Sequence, residues 1–331
     1  MAVGKGFLRE PRGQEMAIIG TWNLENLYRP GGRFGPKDED AYAAKLKALA
    51  STITRLDPDL LGVQEVGDPQ ALADLTDTLD GQWHTALSAH PDGRGIRVGF
   101  LSRLPLTTLA DVTDFPSSLA PVQADDHNEP TARMGRGALA VRLEPAPGHP
   151  LDVVVCHLKS KLLSFPDGRF NPRDEGERAR YAAYALFRRG AEAVTVRGLA
   201  DELLAGAGEA RDVAVLGDLN DEPAAATTQI LLGPTGSQIG ASGFDRPDHG
   251  DAARLWNLAP SIPEDQRHSR VHAGQPELID HILVSHALLA RVEQAFTGAE
   301  HPLPSVDADP TERRDKPASD HAPVLATLRY P

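Results

Sequence analysis

Apolar residues fall in short runs along the chain, and most runs end in acids, amides or histidine. The segments "AIIGTWNLEN" (17–26), "LLGVQEVGD" (60–68), "RVGFLSR" (97–103), "ALAVRLE" (138–144), "DVVVCHLKS" (152–160), "VAVLGDLND" (213–221), "LIDHILVS" (278–285) and "APVLATLRY" (322–330) read as strands. Three stretches between them carry a helical pattern. Residues 37–56 open with acids and carry lysines later, as the helix macrodipole prefers. Residues 174–206 are long, Ala-rich and closed by Gly206, and residues 68–80 are the third. Strands with interspersed helices predict an α/β protein. The loops at 111–135 and 233–275 are rich in Pro, Asp, Gly and Ser, and are long enough to expect binding or lid roles.

Six of the strand ends share one chemistry. Asn23 and Glu25 follow Ile18 and Ile19, Gln64 and Glu65 follow "LLGV", and His157 follows "VVVC". Asp218 and Asn220 follow "VAVLG", Asp280 and His281 follow "ELI", and Asp320 with His321 precedes "APVLATL". One such end is a polar turn, because Asp, Asn, Gly and Pro stop strands for backbone reasons. Six of them, all carrying Asp, Glu, Asn or His, imply loops converging on one cleft. Carboxylates clustered with carboxamide and imidazole suit a hard divalent cation.

Bulk properties narrow the partners. A length of 331 residues is enough for about two domains by length alone. The net charge of −13 argues against adhesion to nucleic acid or an anionic membrane by bulk charge. An anionic substrate stays open, since local fields and bound cations govern a cleft. The single cysteine, Cys156, excludes an intrachain disulfide and lies in an apolar run, where a thiol packs as a small core residue. Residues 1–15 are charged throughout and read as a flexible leader rather than a signal peptide. No run approaches a membrane span. The expectation is a soluble, cytoplasmic, monomeric protein with no membrane contact and no obligate protein partner.

The set "TWNLENL" (21–27), "GVQEV" (62–66), "CHLKSK" (156–161), "GDLND" (217–221), "LIDHILVS" (278–285) and "SDHAP" (319–323) resembles the endonuclease/exonuclease/phosphatase (DNase I-like) superfamily. In wording it is closest to bacterial nuclease-like members. The motifs occur in the family's order from residue 21 to 323. The resemblance implies one catalytic domain over 16–331, because the site needs both ends of the chain. The fold it implies is two packed mixed β-sheets flanked by helices, a four-layer sandwich.

The same resemblance implies roles. Glu65, Asn23 and Asp320 would lie on the metal side, with Glu25 where abasic endonucleases carry an aspartate. Asp218 would orient or deprotonate the attacking water and Asn220 would donate to the phosphate. His321 would sit beside the scissile phosphate with Asp280 as its carboxylate partner, and His157 would contact the phosphate or protonate the leaving oxygen. Strand alternation puts His281 on the opposite side of its strand, as a core residue or one that supports the site from behind. Asp221 and Glu222 are expected to be solvated turn residues. The implied chemistry is hydrolysis of a phosphoester assisted by Mg²⁺ or Mn²⁺.

The substrate follows less directly. The wording favours a nuclease acting on DNA or RNA. The alternative is a phosphatase or phosphodiesterase acting on a small molecule, nucleotide or lipid headgroup. A noncatalytic binding module is disfavoured because every catalytic position is filled. Residues 157–190 carry eight basic residues against four acidic ones in an acidic chain. Within them Lys159, Lys161, Arg169, Arg173 and Arg178 are expected to form a phosphate clamp. Arg188 and Arg189 are expected to be solvated, and Glu177 to pair with Arg180.

Overall fold

The computed structural model describes residues 16–127, 129–169, 171–239, 250–299, 302–306 and 312–331. The leader expected at 1–15 and the middle of the 233–275 loop lie outside the described residues. The strands, in chain order, are β1 (Met16–Leu27), β2 (Leu60–Val66), β3 (His84–Leu87), β4 (Arg97–Ser102), β5 (Thr107–Asp114), β6 (Arg133–Ala146), β7 (His149–His157) and β8 (Asp212–Asp218). They continue with β9 (Trp256–Asn257), β10 (Arg270–His272), β11 (Gln275–Glu277), β12 (Asp280–Val284), β13 (Val292–Thr297), β14 (Ser305–Val306) and β15 (Val324–Arg329). The helices are α1 (Glu39–Leu56), α2 (Pro69–Asp77), α3 (Glu175–Leu204), α4 (Ala226–Leu232) and α5 (His286–Leu289).

Two six-stranded mixed sheets result. Their orders are β13-β15-β1-β2-β4-β3 and β5-β6-β7-β8-β12-β9, and a small β11-β10-β14 sheet stands beside them. In each large sheet one central pair is parallel, β1 with β2 and β7 with β8. All eight runs predicted as strands are strands, with ends displaced by a few residues. The edge strands β3, β5 and β13 were not predicted. They are more exposed than the central strands, so their apolar pattern is weak.

The sheets face each other across one apolar layer. Ile19, Leu60 and Phe100 of the first sheet and Val153, Val155 and Leu216 of the second all belong to it. A fully buried Leu, Ile, Val or Phe contributes about 1.5–3 kcal/mol relative to exposure. The outer faces are covered by helices. α1 and α2 supply Leu46, Leu49, Ile53, Leu72 and Leu75 against Leu61 and Val63 of β2. α3 supplies Val196, Leu199 and Leu204 against Val154, Val213 and Val215. This is the predicted sandwich.

Local chemistry fixes the helix ends. The Asp38 carboxylate accepts from Ala41 N (2.9 Å) to start α1, and that of Asp174 accepts from Glu177 N (2.8 Å) to start α3. α3 stops where Ala205 and Gly206 turn left-handed. Gly217 in β8 has φ +152, and a Cβ there would lie 2.0 Å from the Cys156 carbonyl oxygen, so only glycine fits. Cys156 is fully buried, as expected. Among the described residues no helix is long and apolar enough to cross a membrane.

Candidate active site

Strand register creates the site. On the second sheet His157 of β7 stands opposite Asp218 of β8, and Asp218 opposite Asp280 of β12. Three side chains far apart in sequence thus form one row at the strand ends. On the first sheet Asn23 of β1 is paired with Gln64 of β2. Beyond them Glu25, Asn26 and Glu65 have positive φ, as the strands break register and turn their side chains into the space between the sheets. Asn220 also has positive φ, +52, which suits a short polar side chain.

The row is wired by hydrogen bonds. Asn23 Nδ2 donates to Asp218 Oδ2 at 3.0 Å, linking the two sheets. Asn220 N donates to Asp218 Oδ1 at 2.9 Å, while Asn220 Nδ2 donates to Leu158 O at 3.0 Å. His157 Nε2 lies 3.4 Å and His321 Nε2 4.0 Å from Asp218 Oδ2, so Asp218 sits between two imidazoles. His321 Nδ1 and Asp280 Oδ2 are 2.7 Å apart. The His321 loop is itself held, since Trp22 Nε1 donates to His321 O (2.8 Å) and Ser319 Oγ to Asn23 O (2.7 Å).

The electrostatics differ along the row. Burial would lower His321, but the Asp280, Asp320 and Asp218 carboxylates raise it to about 10, so the ring is an imidazolium at neutral pH. Burial, then Asp280, raises Asp218 above the ordinary carboxylate range, with His321 pulling the other way. His157 is pushed well below 6.5 by burial and then by the Arg136 charge, so it is neutral. Its Nδ1 is buried and makes no hydrogen bond among the described residues, so no carboxylate supports it.

The residues expected on the metal side, Glu65, Asp320, Asn23 and Glu25, come together at the ends of β1 and β2 and before β15. Glu65 Oε2 accepts from Asn26 N at 2.9 Å, and Asp320 Oδ2 lies 3.9 Å from the Arg270 guanidinium. Both residues are half-buried and line the cleft, a donor set suited to a hard cation such as Mg²⁺ or Mn²⁺. Asp218, Asp280 and His321 form a second group whose ligand atoms lie within 4.8 Å of one another. The residues therefore fit a divalent ion. Glu25 is different: both of its oxygens are engaged, by Arg313 Nε (2.7 Å) and by Arg313 Nη2 and Asp320 N (2.9 Å each).

A cleft of about 430 Å³ opens over these groups. Asn23, Glu25, Glu65, His157, Asp218, Asn220, Asp320 and His321 all line it, with Asp280 behind His321. Of the five residues expected to clamp phosphate, Lys161 and Arg178 reach the cleft and three do not. Lys159 turns its ammonium onto the carbonyls of Ser160 and Leu162. Arg169 is forked onto Glu177, the partner expected for Arg180, which instead binds Asp126. Arg173 is exposed outside the cleft, its backbone N–H on Glu177.

The structure also corrects the turn after β8. Asp221 is buried rather than solvated. It accepts from Arg189 Nε (3.1 Å) and Thr227 Oγ1 (2.6 Å), with Lys161 Nζ at 3.2 Å. Arg189 is buried with it, not solvated, and Arg188 is half-buried on Glu192. Glu222 is exposed as expected. His281 is buried on the far side of β12, its Nε2 2.8 Å from Asp221 O.

Four cleft cations carried no usable sequence signal: Arg94, Arg136, Arg270 and Arg313. Arg270 lies in the 233–275 loop region, for which binding or lid roles were expected. It pairs through its backbone with His321, and its Nε is buried without a hydrogen-bond partner among the described residues.

Two mixed sheets packed face to face, with acids and imidazoles gathered at the strand ends, define the class of α/β sandwich. Residues 20–321 match the Endonuclease/Exonuclease/phosphatase family, and the chain belongs to that family of phosphoesterases. Among solved structures it is similar to a truncated TDP2 of Caenorhabditis elegans, at 16% identity and a TM-score of 0.54 over 95% of this chain and 98% of that one. D. rerio TDP2 in complex with a single-strand DNA product gives 14% identity and a TM-score of 0.52, over 95% and 99% of the two chains. The mannosyl-6-phosphatase Bt3783 of Bacteroides thetaiotaomicron VPI-5482 gives 14% and 0.53, over 94% and 98%. No protein of curated function matches the sequence.

Proposed function

We propose that the chain is a divalent-metal-dependent nuclease that cleaves phosphodiesters of DNA or RNA, with residues 16–331 acting as one catalytic domain. The observation that carries this reading is the charge of the cleft. In a chain of net −13, the cleft is lined by six cations (Arg94, Arg136, Lys161, Arg178, Arg270, Arg313) and five acids (Glu25, Glu65, Asp218, Glu277, Asp320). One divalent ion would tip that balance further towards a polyanion. The D. rerio TDP2 neighbour, in complex with a single-strand DNA product, supports it as well.

In this reading Asp218 accepts the proton of the attacking water, oriented by Asn23 and Asn220. His321, kept cationic by Asp280, faces the phosphoryl oxygens and offsets the charge they gain in the transition state. His157, being neutral, donates or accepts a hydrogen bond at the phosphate and adds no charge. An ion held by Glu65 and Asp320 would supply Lewis-acid polarisation of the phosphoryl oxygen. Lys161 and Arg178 lie where flanking phosphates pass.

Hydrolysis of a phosphomonoester is the second reading, favoured by the likeness to a mannosyl-6-phosphatase. The test is turnover of plasmid, single-stranded DNA, RNA and a phosphomonoester panel in Mg²⁺ or Mn²⁺. The nuclease reading expects polynucleotide cleavage whose KM rises with salt, and a salt slope that flattens in Lys161→Ala. Turnover of monoesters alone would replace it with the second reading.

A further inference from the structure

The connection from β1 to α1 leaves the cleft just past Glu25 and Asn26 and carries the segment "RPGGRFGP" (29–36). Its one aromatic residue, Phe34, is half-buried, at the rim of the fold rather than in its core. The segment is held at several points. Tyr28, packed against Gly67, donates its hydroxyl to Arg94 O at 3.0 Å, and Arg29 forks onto Asp74. Arg314 donates to the carbonyls of Gly32 and Gly35, and the Asp315 carboxylate accepts from Lys37 N at 2.8 Å. A glycine-rich turn fastened in this way is preorganised, so a ligand that meets it loses little to ordering the loop.

The turn presents one ring between two open cations. The guanidinium carbon of Arg33 lies 5.4 Å and that of Arg94 5.9 Å from the centroid of the Phe34 ring. A closed stack in this chain is tighter, as with Arg103 over Trp83 at 4.0 Å. The two arginines therefore flank Phe34 without covering it. Neither side chain makes a hydrogen bond or ion pair among the described residues. Their neighbours are committed, Arg29 to Asp74, Arg136 to Asp92 and Arg313 to Glu25. Packing explains why Phe34 leans on Tyr28, with ring centroids 5.9 Å apart. It does not explain two uncompensated guanidiniums beside the ring, whose like charges repel. Phosphates beside both arginines would remove that repulsion, and a π-face between them takes a planar base. Arg94 also lines the cleft, so the ring is joined to the site.

We propose that Phe34, with Arg33 and Arg94, is a stacking platform for an unpaired nucleobase of the substrate strand, whose adjoining phosphates the two arginines hold. The proposal rests on the nuclease reading of the cleft and deepens it. It makes a single-stranded polynucleotide the substrate form and leads the strand along the β1–α1 connection.

The test is binding by the full chain of a fluorescein-labelled oligothymidylate of about 12 nucleotides and of an abasic chain of equal length. Anisotropy reads it, with EDTA present to hold off cleavage. The wild-type chain prefers the oligothymidylate by about 5–150-fold, the contribution of one stacked base. Phe34→Ala removes the preference and leaves binding of the abasic chain unchanged, whereas Phe34→Trp keeps it. Equal wild-type affinity for the two chains, no binding of either, or a preference that survives in a folded Phe34→Ala overturns the proposal. Should Phe34→Ala fail to fold by circular dichroism, Arg33→Met decides. It weakens both chains alike and flattens the salt slope by about 0.7, and an unchanged slope overturns the proposal. Turnover in Mn²⁺ separates this inference from the reading beneath it. Cleavage of the oligothymidylate without any preference over the abasic chain overturns the platform alone. Turnover of phosphomonoesters alone overturns the nuclease reading as well.

Discussion

His321 Nδ1 and Asp280 Oδ2 lie 2.7 Å apart, and the carboxylate keeps the buried imidazole protonated against the pull of burial. The ring is therefore a fixed cation aimed at the cleft, not a base waiting for a proton. The amide of Asp280→Asn still accepts a hydrogen bond but carries no charge, so burial drives the ring neutral. The expected result is a fall in kcat of about 10²–10³-fold with KM nearly unchanged. Steady-state kinetics on a folded variant check it, and a loss below tenfold would mean that Asp280 only packs.

The strand ends were legible for a physical reason: acids, amides and histidines at β termini interrupt an apolar run, and the interruption is visible locally. Asn23, Glu65, His157, Asp218, Asn220, Asp320 and His321 were found that way and converge on one cleft, with Asp280 behind His321. The cations were not legible. Arg313 meets Glu25 across 288 positions, and Arg270 earns its place only by pairing with His321. The basic stretch after His157 misled in part because some of its charges are consumed nearby, Arg169 by Glu177 and Lys159 by the carbonyls of Ser160 and Leu162. Asp221 looked like turn chemistry because its partner Arg189 lies 32 positions away on α3.

That buried pair makes a stability prediction. Asp221 is 8% and Arg189 6% exposed, and Thr227 with Arg189 holds the carboxyl below its ordinary range despite burial. Asp221→Ala leaves a buried guanidinium without its counter-charge, at a cost of about 3–5 kcal/mol. Urea denaturation should show it, and Arg189→Met added to Asp221→Ala should recover part of the loss. An unchanged midpoint in the single variant would contradict the pairing.

Gly217 predicts intolerance of the smallest change. Alanine would set its Cβ against the Cys156 backbone, which cannot yield without parting β7 from β8. Overpacking against side chains costs about 1–3 kcal/mol, and this clash is with backbone, so Gly217→Ala should exceed that range or abolish soluble expression. A thermal midpoint within a few degrees of wild type would refute the constraint.

Asp74 ties α2 to the rest of the helical layer. It accepts from Arg29 Nε and Nη2 (2.6 Å each) and from the Tyr42 hydroxyl (2.7 Å), and the Arg29 bond holds its carboxyl down at about 2. A folded value below the unfolded one means that the contribution is full above an ordinary carboxylate's pH, near 4. It is lost as pH falls towards 2. The site is open to solvent, so the contribution is about 1 kcal/mol or less. Asp74→Asn should therefore be less stable than wild type at pH 7 and equal to it near pH 2. A gap that persists at low pH would assign the effect to packing.

The central claim is that a divalent ion and Asp218 together hydrolyse a phosphoester in this cleft. Turnover of single-stranded DNA by the metal-stripped chain, before and after Mg²⁺ or Mn²⁺ is restored, tests it most directly when run beside Asp218→Asn. The account predicts no cleavage without metal, recovery on adding it, and a loss of about 10²–10⁴-fold in Asp218→Asn under either ion. Full activity in a chelator, or a folded Asp218→Asn that cleaves within tenfold of wild type, would contradict it.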